Sequence, residues 1–228
     1  MVFEKTKKIY MSHNKKFYEV LEKDYGTNMF KVLSFQKGER IEGAVFPERL
    51  YYIKKGVVVR AFNDYEGNRK ALDVLMKDEM IGLSTFTGEI PVLWEMEVLE
   101  DVELIIIPSV ILEKYVKDLY LIFALYSQYC LTELYTSWQA MLSEGSERIN
   151  YAILFLCDKV GRYETAGYIF PEYINHNFIA NFSAVSRSYV TRHISNLKKV
   201  GILSVNGRKI CIVDIEKLKS LTPNYQTQ

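Results

Sequence analysis

Arg187 and Arg192, with Ser186, Ser188 and Thr191 beside and between them, make a compact set of directional hydrogen-bond donors in a chain of 228 residues. A guanidinium is a planar fork that serves two acceptors at once, on a carboxylate, a phosphate or the O6/N7 edge of guanine, and small hydroxyls approach such edges without bulk. No acidic partner is close in sequence. From Tyr173 to Val213 there is no Asp or Glu, while Arg187, Arg192, Lys198, Lys199, Arg208 and Lys209 give that stretch a charge of +6. Such a field is the electrostatic footprint of a nucleic-acid partner; a solvated basic face and an acidic protein partner are the other readings.

The surrounding elements must present those donors. Ile174, Phe178, Ile179 and Phe182 lie at helical spacing and predict a short helix opening at Asn175, a competent N-cap. After a break at "FSAV", Ser186 caps a second helix on which Val190, Ile194 and Leu197 face inward, leaving Arg187, Ser188, Thr191 and Arg192 outside. Behind it, "GILSVNGRKICIV" reads as two strands around Asn206-Gly207, a strong hairpin signal, with Arg208 and Lys209 at the tip. Helix, turn, helix and wing in one basic segment predict a winged helix-turn-helix, with Lys198, Arg208 and Lys209 set for phosphates.

Upstream the periodicity differs. Between Lys31 and Gly82, short apolar or alternating runs are separated by turn signals at Lys37-Gly38, Phe46-Pro47, Lys55-Gly56 and Asp64 to Asn68, the rhythm of an all-β barrel or sandwich. From about Ser109 the pattern becomes helical. Leu119, Ile122, Phe123, Tyr126, Cys130, Leu134, Trp138, Met141 and Leu142 form an apolar stripe on a helix of some 25 residues, either packed on its own domain or pairing with a second copy. The glycine in "SEGSERI" interrupts it, and "ERINYAILFLCDKVGR" resumes as another helix. The predicted domains are 1–112, 113–144 and 145–228.

Composition narrows the classes. With 49% hydrophobic and 14% aromatic residues the chain folds, and the net charge of +1 leaves about −5 for residues 1–172, so two domains of opposite sign are expected. Apolar runs such as "VELIIIPSVIL" fall short of a membrane span, and the basic start has no secretory pattern, so the expected location is cytoplasmic. Cys130, Cys157 and Cys211 are odd in number and widely spaced, which suits a reducing compartment and offers no CxxC site. No nucleophile with a base, no metal constellation and no Gly-rich phosphate loop is found, so neither an enzyme nor a cofactor is expected.

These motifs resemble the Crp/Fnr transcription regulators. The resemblance is carried by "FQKGERI", "YYIKKGVVV", "YEGNRKALDVL", "GSERI" and "VSRSYVTRHISNLKKVGIL", and covers about Lys31 to Leu218. It implies an α+β fold: an N-terminal cyclic-nucleotide-binding-type β-barrel (jelly roll), a long dimerisation helix and a C-terminal winged helix-turn-helix. It also implies a homodimer acting as a sequence-specific activator on a near-palindromic site in double-stranded DNA, with RNA polymerase as a partner and DNA read at Arg187, Ser188 and Arg192. Ser188 stands where the family often has glutamate, and Ala184 replaces a common turn glycine.

The barrel departs further. By length, Gly82 falls at the ribose-binding glutamate and Val92 and Leu93 at the phosphate-binding Arg-Ser pair of cyclic-AMP binders, and no arginine occurs between Lys70 and Glu147. An anionic phosphate would meet clustered carboxylates there with no charge-assisted donor, so no cyclic-nucleotide binding is expected. Three cysteines cannot supply four cluster ligands, and His13, His176 and His193 place no haem or cupin-type ligand in the barrel. His176 and His193 read instead as polar residues of the basic helices. Three modes of control stay open: activity without an effector, a small effector such as glutathione against Trp94, Tyr126 and Cys130 as in the PrfA-type branch, and oxidation of Cys130. A lone cysteine on an apolar stripe is ordinarily a small hydrophobe.

Overall fold

The computed structural model describes residues 2–42, 50–63, 65–67, 69–83 and 95–222. It falls into two compact units, residues 2–63 with 72–132, and residues 64–71 with 133 onward.

The first unit opens with a helix, α1 (Val2–Tyr25), which buries Tyr10, Asn14, Phe17, Tyr18 and Leu21 at the spacing of one helical face. Among the described residues six strands follow: β1 (Lys31–Phe35), β2 (Arg40–Glu42), β3 (Leu50–Asn63), β4 (Arg69–Met76), β5 (Met80–Ile81) and β6 (Glu95–Ile107). They join antiparallel in the order β1-β6-β3-β4, with β2 also on β6 and β5 also on β3. Tyr51, Ile53, Val58, Met96, Val98, Val102 and Leu104 form the core between them.

The run "LYYI" at Leu50–Ile53 is buried at every position, where a half-exposed strand would alternate. Tyr51 and Ile53 point to the core, and Tyr52 on the other face stacks on Tyr18 of α1 with ring centroids 4.3 Å apart. α1 also grips the β4–β5 turn. Asn14 Nδ2 donates to the Asp78 carbonyl at 3.0 Å, the Tyr52 hydroxyl donates to the Asp78 carboxylate, and Glu79 Oε2 accepts from the Met76 amide at 2.8 Å.

The turn predicted at Lys55-Gly56 is not a turn. β3 runs through it, and the register against β6 slips at Ile53/Lys55, Lys55/Val57 and Val57/Val58. Gly56 sits at φ +92°, and a Cβ there would run into the Asp101 carbonyl, so the glycine marks a bulge that bends a long strand. The signals at Phe46-Pro47 and at Asp64 and Asn68 lie outside the described residues.

A short helix, α2 (Ser109–Leu112), and a 3₁₀ turn (Glu113–Tyr115) lead into α3 (Val116–Leu142), close to the 25 residues expected. Its predicted stripe divides. Ile122 is buried, whereas Phe123, Leu134, Trp138, Met141 and Leu142 are each more than 40% exposed; outside the stripe Tyr129 is buried and Tyr120 and Leu131 are exposed.

The second unit contains α4 (Gly145–Val160), β7 (Arg162–Glu164), β8 (Gly167–Ile169), α5 (His176–Ser183), α6 (Arg187–Lys199), β9 (Leu203–Asn206), β10 (Lys209–Ile212) and α7 (Ile215–Ser220). Its sheet runs β7-β8-β10-β9. Ile149, Ile153, Leu156, Ile179, Val190, Ile194, Leu197, Ile202 and Ile210 are buried; α5 and α6 each turn one apolar face inward, and α4 is buried at every position from Ala152 to Cys157.

Candidate nucleic-acid interface

α6 begins where its sequence provides a cap. Ser186 Oγ accepts from the Tyr189 amide at 3.2 Å and lies 3.0 Å from Ser188 Oγ. Val190, Ile194 and Leu197 are buried, and Ser186, Arg187, Ser188, Thr191, Arg192 and Lys198 lie on the opposite, outer side. Arg208 in the β9–β10 turn and Lys209 at the head of β10 are exposed as well, with Gly207 at φ +60° closing the tight turn.

The preceding turn is unusual. Asn175 caps α5 by accepting from the Asn177 and Phe178 amides at 2.9 and 3.1 Å. At its other end Ala184 adopts φ 51°, ψ 43°, the left-handed conformation that favours glycine, while the Ala184 and Val185 amides both donate to Ala180 O. Ala184 therefore takes a conformation that glycine would adopt freely, which places an L side chain in a strained well.

Three contacts extend what the sequence indicated. The Arg192 guanidinium stands 5.6 Å from the Tyr189 ring centroid, and a Cβ at Gly145 would come within 2.9 Å of that same ring. Tyr189 is thus held at the start of α4 and in turn steadies Arg192. His193 Nε2 donates to Asn150 Oδ1 at 2.7 Å, since the Asn150 amide donates to Leu221 O at 3.3 Å. Burial lowers the pKa of His193, which favours the neutral ring in this tie between α6 and α4. The Thr191 hydroxyl donates to Arg187 O at 3.0 Å and lies 3.0 Å from His176 Nδ1, so what Thr191 offers to a base edge is chiefly its methyl group. Tyr189 and Asn150 carry no charge signal in the sequence, which is why spacing alone did not single them out.

Tyr126 and Cys130, the predicted effector contacts, do come together in the first unit. They line a cavity of about 10 Å³ with Tyr10, Arg60, Asp73, Glu79, Tyr129 and the backbone around Gly82. That is room for a single water. The space is small because Tyr10 enters from α1, stacking on Tyr129 at 5.5 Å and tilted against Tyr126 at 5.8 Å. Arg60 pairs with Asp73 at 3.0 Å on the same wall. Trp94 lies outside the described residues. Cys157 and Cys211 are buried, and burial pushes the Cys157 thiol up to about 12. Among the described residues no three His, Cys, Asp or Glu side chains converge to hold a metal. No helix among them is long and apolar enough to cross a membrane.

A cyclic-nucleotide-binding-type β domain followed by a helix-turn-helix with exposed arginines defines a DNA-binding transcriptional regulator. Residues 32–118 match the cyclic nucleotide-binding domain family and residues 147–221 the Crp-like helix-turn-helix domain family, and the chain belongs to the Crp/Fnr family. It is 26% identical over 164 residues to an anaerobic regulatory protein of Bacillus subtilis (strain 168), covering 70% of this chain and 69% of that one. A Crp/Fnr-family transcriptional regulator of Thermus thermophilus has the same fold, with a TM-score of 0.68 at 23% identity, over 85% of this chain and 98% of that one. FixK2 from Bradyrhizobium japonicum superposes with a TM-score of 0.66 at 18% identity, over 84% and 96% of the two chains.

Proposed function

We propose that the protein is a homodimeric, sequence-specific transcription activator that binds a near-palindromic DNA site, recruits RNA polymerase and works in the cytoplasm without cyclic AMP. The observation that carries this reading is the outer face of α6, where exposed arginines and small polar side chains stand on a helix whose other face is buried. Arg187 and Arg192 read guanines, Ser186, Ser188 and Thr191 fit against base edges and sugars, and Lys198, Arg208 and Lys209 hold phosphates. The exposed apolar residues of α3 support pairing of two chains along that helix, which sets the recognition helices about one DNA turn, roughly 34 Å, apart. In this reading residues 1–112 are the regulatory domain, 113–144 the dimerisation helix and hinge, and 145–228 the DNA-binding domain.

Effector independence is supported by Gly82 at the ribose position and by Tyr10, which lies against Tyr126 and Tyr129 in the cavity that Cys130 also lines. The test is selection of bound sequences from a random duplex pool by the purified protein without added ligand. Enrichment of an inverted repeat with half-site centres one turn apart supports the reading. A folded dimer that enriches nothing overturns it.

A further inference from the structure

His176 opens α5, outside the recognition helix, yet its Nδ1 lies 3.0 Å from Thr191 Oγ1 on α6. The Thr191 hydroxyl has one proton and gives it to Arg187 O at 3.0 Å, so the hydrogen between the ring and Thr191 belongs to His176. Nδ1 is therefore the donor. The neutral ring then carries a bare lone pair at Nε2, for which the described residues supply no hydrogen-bond partner. A second proton would add a donor at Nε2 without breaking any existing bond.

The surroundings favour an external anion. α4 and α6 pack on α5. α4 carries Glu147, Arg148, Cys157, Asp158 and Lys159, and α6 carries Arg187, Arg192, His193, Lys198 and Lys199. Partial burial lowers the pKa of the ring, and of these groups Arg187 is the one whose charge adds to that shift. No acid lies between Tyr173 and Val213 to offset it. In the free protein both effects favour the neutral ring. A phosphate laid beside it would cancel the field of Arg187 and accept the new proton's hydrogen bond.

We propose that His176 is a DNA-backbone contact that binds phosphate through Nε2 in its doubly protonated form, so that each half-site takes up a proton as DNA binds. This rests on the DNA-binding reading above. The sign follows from linkage: the free ring has the lower pKa and the bound ring the higher, so affinity rises as pH falls through the bound pKa and levels off below the free one. Because phosphates carry no sequence information, the effect is the same on every duplex.

The test uses the full-length protein and fluorescence anisotropy at fixed ionic strength between about pH 8 and pH 5.5. The probes are a 30-base-pair duplex taken from the selection and a random-sequence duplex of equal length. If binding lifts the ring pKa by about one unit, affinity gains about tenfold per half-site on both probes. The slope of log affinity against log salt steepens by about 0.9 per protonated contact at the acid end. His176→Gln, which keeps His193 and all arginines, is expected to lose that part of the pH dependence. In case this substitution perturbs the turn, nitrogen-15 titration of the unmutated ring provides the second readout: Nδ1 stays protonated throughout and the pKa of Nε2 rises when DNA is added. Equal pH slopes in wild type and His176→Gln, or a ring pKa unmoved by DNA, overturn this assignment alone. Absence of binding to both probes at every pH overturns the DNA reading and this assignment with it.

Discussion

Ala184 is where the local chemistry of the DNA-binding unit is least at ease. A non-glycine residue in the left-handed region is disfavoured by about 1–2 kcal/mol, and glycine gives back roughly 0.5–1 kcal/mol in unfolded-chain entropy. Ala184→Gly is therefore expected to stabilise the protein by about 0.5–1 kcal/mol, read as a higher urea midpoint at unchanged slope. The departure from glycine was visible in the sequence; that Ala184 would take the left-handed conformation was not, because two backbone bonds to Ala180 O hold it there. The arginines were fully legible, since their exposure follows from the opposite placement of Val190, Ile194 and Leu197. Arg192→Ala is expected to relax preference at one base pair in each half-site by about 1–3 kcal/mol, whereas Lys209→Ala weakens all duplexes alike and flattens the salt slope. Parallel binding curves on matched and single-mismatch duplexes separate the two. Unchanged site preference in Arg192→Ala would mean that the register of α6 on DNA is not the one proposed.

Among the elements, the helices of the second unit were the most legible, because caps at Asn175 and Ser186 and apolar residues at helical spacing agree with one another. β3 was the least. Lys55-Gly56 has the composition of a turn, and only pairing with β6, more than 40 residues away in the chain, converts it into a bulge. α3 was legible as a helix, but its apolar residues serve two purposes that spacing does not separate. Ile122 and Tyr129 are buried within the chain, while Leu131, Leu134, Trp138 and Met141 remain on the surface. A row of exposed large apolar side chains on one helix is uncommon in a monomer. Leu134→Glu is expected to shift the protein from dimer to monomer in sedimentation and to reduce affinity for the two-fold site far more than for an isolated half-site. A dimer that persists in the Leu134→Glu variant would place the seam elsewhere.

For the molecule as a whole, the part hardest to foresee was the use made of α1. The sequence shows a basic start without a secretory pattern, and nothing in its spacing says that Tyr10 fills the space between Tyr126, Tyr129 and the β4–β5 region. Removing a buried ring of that size costs about 3–5 kcal/mol, so Tyr10→Ala is expected to lower the urea midpoint strongly, and millimolar phenol to restore part of the loss by occupying the vacated space. Calorimetric titration of the wild type with cyclic AMP is expected to give no binding heat. A saturable heat with cyclic AMP would mean that α1 yields the space to a nucleotide.

The same packing of Tyr10 on Tyr129 also sets a timetable for synthesis. α1 leaves the ribosome more than a hundred residues ahead of the helix that receives it. At about 5–20 residues per second that is a wait on the order of ten seconds. Throughout it, Tyr10 has no Tyr129 to stack on, so part of the apolar face it shares with Phe17, Tyr18 and Leu21 stays uncovered until residues 116–142 are made. Slow translation across residues 95–130 would lengthen that exposure, and the yield of folded protein should fall with it.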